Sequence, residues 1–207
     1  MPVIVGSVAR MTKLEIKTVG VIGSGIMGSG IAEVISKSGI DVVIRSRSAE
    51  TAQATKAAID SSLNKQLVKA KITQEEKDSA MSHVTVTNKL EDLANCDLII
   101  ESAVEDLATK QELFSQLDKI VKPSCVLSTN TSTLPVIELA KSTNRPDKVC
   151  GIHFFNPAVL MPLVEVVRPI TASDETIAFA NAFVNDCADG AVQAVDRGGF
   201  LGHALLF

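Results

Sequence analysis

Tryptophan and tyrosine are absent, and phenylalanine is limited to seven of 207 residues. A protein that grips single-stranded nucleic acid by base stacking needs more ring faces than this. Positive charge is also thin. Twenty Lys and Arg stand against 24 Asp and Glu, for a formal net charge of -4, and no basic run forms the stripe a nucleic-acid partner requires. The three histidines lack metal-ligand spacing, which argues against a zinc site. Cys96, Cys125, Cys150 and Cys187 form no Cys-x-x-Cys pair. Set in or beside apolar runs, they read as buried free thiols of a reducing compartment, and the expected location is cytoplasmic. No apolar run is long enough to span a bilayer, so no membrane partner is expected. Residues 1–16 read as a leader without the basic region or cleavage-like end of a signal peptide. Met11 offers an alternative start.

Against these absences stands an apolar content of 46%, which excludes a disordered chain. Strand and helix patterns alternate. Short apolar runs predict strands at Lys17–Ile22, Asp41–Arg45, Val84–Thr87, Asp97–Glu101, Cys125–Ser128, Val149–Phe154 and Leu163–Val167, with a short one near Val192. Helical periodicity predicts Ile26–Ser38 closed by Gly39, a long polar helix over Ala49–Lys71, and helices at Leu107–Val121 and Glu175–Asp186. Thr73 with Glu76 reads as a capping box. Apolar strands separated by helices imply an α/β chain with a Rossmann-type, doubly wound, mostly parallel sheet. The expected division is a dinucleotide-binding domain over residues 17–196 and a stub over 197–207. Asp196-Arg197-Gly198-Gly199 reads as a hinge, and Phe200–Phe207 as the start of an apolar helix too short to be stable alone.

Gly23-Ser24-Gly25-Ile26-Met27-Gly28 follows the first strand and opens the first helix. That context gives the glycine pattern its meaning. The first glycine allows the tight turn, the second lets backbone approach a pyrophosphate, and the third lets helix and strand pack closely. The helix N-terminus then presents N–H groups and a positive dipole end to phosphate. At the end of the second strand, Arg45-Ser46-Arg47 stands where an acid would bind the ribose of NAD. Arg45 and Arg47 can receive a 2′-phosphate instead, which tilts the expectation toward NADP. Solvated surface charge is the alternative.

Downstream, Glu165 interrupts the apolar stretch Leu163–Val167. A carboxylate there is costly without a partner, and His153 stands twelve residues earlier. Ser132, His153 and Asn156 all fall at strand ends, where open sheets bind ligands. A histidine oriented by a buried carboxylate can take the proton of an alcohol whose hydride leaves for a nicotinamide. A purely structural polar pair in the core is the alternative.

These stretches resemble the L-3-hydroxyacyl-CoA dehydrogenases, especially the bacterial 3-hydroxybutyryl-CoA dehydrogenases. The likeness rests on Val21–Ala32, Asp97–Asp106, Ser128–Leu134, His153-Phe154-Phe155-Asn156-Pro157 and Leu163–Val166, in order and with family-like spacing from about Val19 onward. It implies reversible oxidation of a short 3-hydroxyacyl-CoA by NAD(P), in fatty acid or butanoate metabolism. His153 would be the base, Glu165 its orienting partner, and Ser132 the hydroxyl that bonds the reacting oxygen. Asn156 would lie near the nicotinamide and Glu105 and Lys110 near the cofactor ribose, although a solvated charge pair at a helix start reads equally from the residues. Ser62 and Lys69, two helical turns apart, would hold coenzyme A; simple solvation is their alternative. A full-length form would be a homodimer. The chain departs from the family at Ser46, where an acid is usual, and at His203, where an asparagine is usual. The family's helical C-terminal domain is represented only by the stub, so exposed apolar surface is expected where that domain packs. A dinucleotide-binding and CoA-binding fragment without turnover is the rival reading. A dehydrogenase of small hydroxy acids is a second rival, disfavoured by the His153–Pro157 stretch and by Ser62 with Lys69.

Overall fold

A computed structural model describes residues 16–188 and 190–196. His203, the stub, and all of the leader except Ile16 lie outside the described residues.

The chain alternates β1 (Thr18–Ile22), α1 (Ile26–Lys37), β2 (Asp41–Arg45), α2 (Ala49–Val68), α3 (Gln74–Ser82), β3 (Val84–Thr87), β4 (Leu98–Glu101), α4 (Leu107–Ile120), β5 (Val126–Thr129), α5 (Val136–Ala140), β6 (Val149–Phe154), β7 (Leu163–Arg168), α6 (Asp174–Cys187) and β8 (Gly190–Val195). The strands form one sheet in the order β3-β2-β1-β4-β5-β6-β7-β8. From β3 to β6 all neighbours are parallel; β7 runs antiparallel to β6, and β8 parallel to β7.

Every residue of β4, β5 and β6 is buried, as expected of strands covered on both faces. Alternate residues serve opposite layers. Val19, Val21, Leu98 and Ile100 pack toward α1, α2 and α6 through Ile31, Ile35, Ile59 and Phe183. Ile22, Ile99 and Leu127 pack on the other face with Phe114 and Leu117 of α4 and Leu139 of α5.

The caps explain where most helices begin. Ser48, Thr73, Asp106 and Ser173 each accept from a backbone N–H in the first turn of α2, α3, α4 and α6; such a cap stabilises by about 1 kcal/mol. Gly25, at the start of α1, makes no side-chain cap, so the first N–H groups of that helix are left for something else. Gly39 follows the C-cap Ser38 of α1 with φ 76°, the left-handed closure expected of it.

One expectation needs correction. The polar helix ends at Val68 rather than Lys71, because Ala70 takes the left-handed φ of 51° and turns the chain toward the capping box at Thr73. The five-residue α5 carries too little periodicity to be read from sequence. Asp196, the first residue of the stretch read as a hinge, clamps α5: its Oδ1 and Oδ2 accept from the N–H groups of Val136 and Ile137 at 2.9 and 2.8 Å, and the rest of that stretch lies outside the described residues. It thereby supplies the cap that Pro135 cannot.

Candidate active site

The strand order reverses between β1 and β4, and a crevice opens beyond their carboxyl ends at such a point. Gly23 turns the chain there with φ 118°, and a Cβ on it would overlap the Ser102 carbonyl at the end of β4. A Cβ on Gly28 would overlap the Gly23 carbonyl, so the third glycine closes helix onto turn. At Gly25 a Cβ would meet nothing within 4 Å. This glycine faces open space, as required of a backbone that a pyrophosphate must approach. Ser24 and Met27 are half-buried in the turn, and Thr55 of α2 donates to the Ser24 carbonyl at 3.4 Å. Ile26 leaves the first turn of α1 80% exposed, an apolar surface beside the uncapped N–H groups.

The end of β2 borders the same crevice. The Gly23 N–H donates to the Arg45 carbonyl at 3.1 Å. Ser46 is buried and its Oγ has no hydrogen-bond partner; the buried Nε of Arg45 also lacks one. Buried polar atoms of this kind usually have partners, and a ribose hydroxyl or its phosphate at this strand end would serve both. Arg47 is exposed. The uncapped helix, the open Gly25 and these two orphaned atoms fit a dinucleotide.

On the other side of the crevice, the antiparallel register sets His153 directly opposite Glu165. Both are buried, at 4% and 1% exposure. His153 Nδ1 lies 2.8 Å from Glu165 Oε2, and His153 Nε2 lies 3.1 Å from Ser132 Oγ. A carboxylate only accepts, so the hydrogen-bond pattern assigns the imidazole hydrogen to Nδ1. Ser132 then donates to the Nε2 lone pair. Phe155 packs its ring against that of His153, with centroids 4.7 Å apart at 56°. Asn156 follows on the loop and is exposed.

Glu105 and Lys110 are not a solvated charge pair. Lys110 is 1% exposed, and its ammonium donates to both oxygens of the fully buried Glu101 at 2.7 and 2.9 Å. It also stands 3.4 Å from Glu105 Oε2. Burial raises the proton affinity of Glu105, but bonds from Thr131, Lys110 and the Ser132 N–H outweigh it and hold the carboxyl below the usual range. Glu101 lies within a stretch that carries the family likeness, yet nothing in the sequence assigns it a task. Asn130 is a second residue that sequence reasoning missed. It ties β5 to β6, accepting from the Phe154 N–H at 2.8 Å while its own N–H donates to the Glu101 carbonyl at 2.7 Å. Its signal was its place inside Ser128–Ser132.

Ser62 is half-buried on α2, and Lys69 is the exposed C-cap of that helix. Seven residues of helix rise about 10 Å, so the two mark a line along α2 rather than a point. Cys96, Cys125 and Cys150 are buried free thiols, and Cys187 is partly exposed. Burial pushes all four up to about 12, which leaves them unreactive. Among the described residues no group of His, Cys, Asp and Glu can hold a metal ion, and no helix is long and apolar enough to cross a membrane. Leu160, Met161 and Leu163, just beyond the His153 strand, are exposed apolar side chains.

Known proteins resemble this chain in sequence and fold. The family described as 3-hydroxyacyl-CoA dehydrogenase, NAD binding domain, matches residues 18–197. A 3-hydroxybutyryl-CoA dehydrogenase of Bradyrhizobium diazoefficiens is 39% identical over 191 residues, 92% of this chain and 65% of the relative. One from Mycobacterium tuberculosis is 39% identical over 193 residues, covering 92% of this chain and 68% of the relative. The crystal structure of (S)-3-hydroxybutyryl-CoA dehydrogenase from Ralstonia eutropha superposes with a TM-score of 0.90 at 34% identity, over 93% of this chain and 68% of that one. The chain thus spans about two thirds of the length of these relatives. The chain belongs to the 3-hydroxyacyl-CoA dehydrogenase family, matched across that family's NAD-binding domain.

Proposed function

We propose that this chain carries the dinucleotide site and the proton-transfer group of a 3-hydroxyacyl-CoA dehydrogenase acting on short acyl chains, with 3-hydroxybutyryl-CoA as the first substrate to try. The observation that carries this reading is the buried Glu165–His153–Ser132 chain of hydrogen bonds, at 2.8 and 3.1 Å, at the sheet's ligand-binding edge. The nicotinamide supplies or accepts the hydride at the substrate's third carbon. His153 Nε2 takes the hydroxyl proton during oxidation and returns it during reduction. Glu165 holds the ring in the Nδ1–H form and favours the imidazolium that results. When substrate binds, the Ser132 hydroxyl gives up its bond to Nε2 and donates to the reacting oxygen instead, which leaves the Nε2 lone pair for the substrate's proton. Water is kept from the Nδ1 side because both partners are buried.

Ser62 and Lys69 are proposed to meet the coenzyme A moiety, Asn156 to stand near the nicotinamide, and Glu105 with Lys110 near its ribose. The remaining third of the relatives' length would complete the substrate cleft and pair two copies as a homodimer. A cytoplasmic location suits the reduced thiols.

The test is acetoacetyl-CoA reduction followed with NADH and NADPH side by side. Steady oxidation of NADH that depends on the thioester is the expected result. Nucleotide binding without turnover would favour the rival reading, a dinucleotide-binding and CoA-binding fragment.

NAD(H) is the cofactor of the matched family domain, and Ser46 Oγ suits a ribose hydroxyl. A preference for NADP is a second reading, favoured by the unpartnered Arg45 Nε and by Arg47 beside it. Charge-assisted bonds to phosphate contribute about 1.5–3 kcal/mol each. On that reading, replacing both arginines with alanine weakens NADPH by roughly tenfold or more relative to NADH, measured by titration calorimetry. Equal weakening of the two would remove it.

A further inference from the structure

The loop that carries Ser132 has no regular structure of its own, yet Ser132 must meet His153 to within a hydrogen bond. What holds it is a chain of polar contacts that starts at the half-exposed Glu105 and reaches back to the buried Lys110 and Glu101 of the sheet. Thr131 is buried, and its Oγ1 donates to Glu105 Oε1. The same oxygen accepts from the N–H groups of Thr133 and Leu134 at 3.3 and 3.0 Å, closing the loop around one hydroxyl. Glu105 Oε1 also accepts from the Ser132 N–H and the Thr133 hydroxyl, both at 3.3 Å. Glu105 is steadied by Lys110, and Lys110 is held by Glu101. Glu101 is fully anchored: besides Lys110 it accepts from Thr129 Oγ1 at 2.7 Å and from the Ala103 N–H at 2.6 Å.

We infer that Thr131 and Glu101 are positioning residues that set where Ser132 stands relative to His153, acting through Glu105 and Lys110. The inference rests on the proposed role of the Ser132–His153 pair. Lys110 lies between one carboxylate that is permanently enclosed and one that is half-exposed. Neutralising Glu101 shifts the ammonium toward Glu105 and draws that carboxylate off Thr131 and the Ser132 N–H. Removing the Thr131 hydroxyl frees the loop directly. Either change loosens the serine without touching the imidazole or its carboxylate partner.

The experiment uses the whole chain with nitrogen-15-labelled histidine. The His153 ring signals are assigned by their loss in His153→Gln, and Ser132→Ala marks the state without the serine bond. In Thr131→Val the Nε2 signal should move most of the way from its wild-type position to that of Ser132→Ala. Thr131→Ser, which keeps the hydroxyl, should restore it, and Glu101→Gln should move it in the same direction as Thr131→Val. Acetoacetyl-CoA reduction should fall in kcat by about tenfold in Thr131→Val and Glu101→Gln. A role in stability alone would lower the melting temperature and leave the nitrogen signal of the folded protein in place. A signal unmoved in both Thr131→Val and Glu101→Gln, with Ser132→Ala displaced, overturns this inference and spares the reading of the site. Should Thr131→Val fail to fold, Glu101→Gln decides alone. A signal unmoved even in Ser132→Ala overturns both. Displaced signals in a wild-type chain without turnover support the positioning and defeat the proposed activity.

Discussion

Glu165→Gln is expected to lower kcat for acetoacetyl-CoA reduction by about a hundredfold or more, with dinucleotide affinity unchanged. Glutamine has nearly the same shape, and its carbonyl can still accept from Nδ1–H across the β6–β7 ladder. What it lacks is the charge that favours an imidazolium in a buried setting. Glu165 is 1% exposed and 2.8 Å from the ring, so water cannot replace that charge. Glu165→Ala should be worse, because it also leaves Nδ1 buried and unpaired, which costs about 1–3 kcal/mol of stability. Steady-state kinetics, dinucleotide titration and thermal melts on the same samples separate the two variants. A glutamine variant with wild-type kcat would mean that the pair serves the core and not the reaction.

The glycine turn gives the second large effect, and its three glycines should fail in two ways. Gly28→Ala places a Cβ against the Gly23 carbonyl, which is backbone and cannot swing aside. The β1–α1 junction must open, so dinucleotide binding should fall by at least about a hundredfold, with a stability loss of about 1–3 kcal/mol. Gly23→Ala adds the strain of φ 118° to overlap with Ser102 and should be similar. Gly25→Ala meets no protein atom within 4 Å. It should melt like the wild type and still bind dinucleotide poorly, because only the approaching pyrophosphate encounters the new methyl. Full affinity in Gly25→Ala would mean that phosphates pass elsewhere.

Much of this layout is legible in the residues. Short apolar runs ending in glycine mark β1 and its turn, and buried strands of α/β sheets carry such runs because both faces are covered. Glu165 announces itself because a carboxylate amid Leu163, Val164, Val166 and Val167 demands a partner. The direction of β7 is not legible: an apolar strand reads the same both ways, yet its antiparallel run is what sets Glu165 opposite His153. Lys110 misleads for a related reason. Its buried partner, Glu101, belongs to a different element, so spacing along the chain pairs Lys110 only with Glu105, just ahead of α4. The part Asp196 plays is hidden in the same way, because the N–H groups it caps lie some sixty positions away in sequence. In each case local pattern names the element and long-range contact names the task.

Leu160 and Met161, on the loop between β6 and β7, and Leu163 at the start of β7 are exposed apolar side chains within a few residues of Asn156 in sequence.

The most direct measurement is the rate of thioester-dependent NADH oxidation by His153→Asn beside wild type, on samples shown to bind NADH equally. A side chain that cannot exchange the proton should cost about 10²- to 10⁴-fold in kcat, leaving nucleotide affinity and melting temperature close to their starting values. An asparagine variant that turns over acetoacetyl-CoA at the wild-type rate would contradict the account.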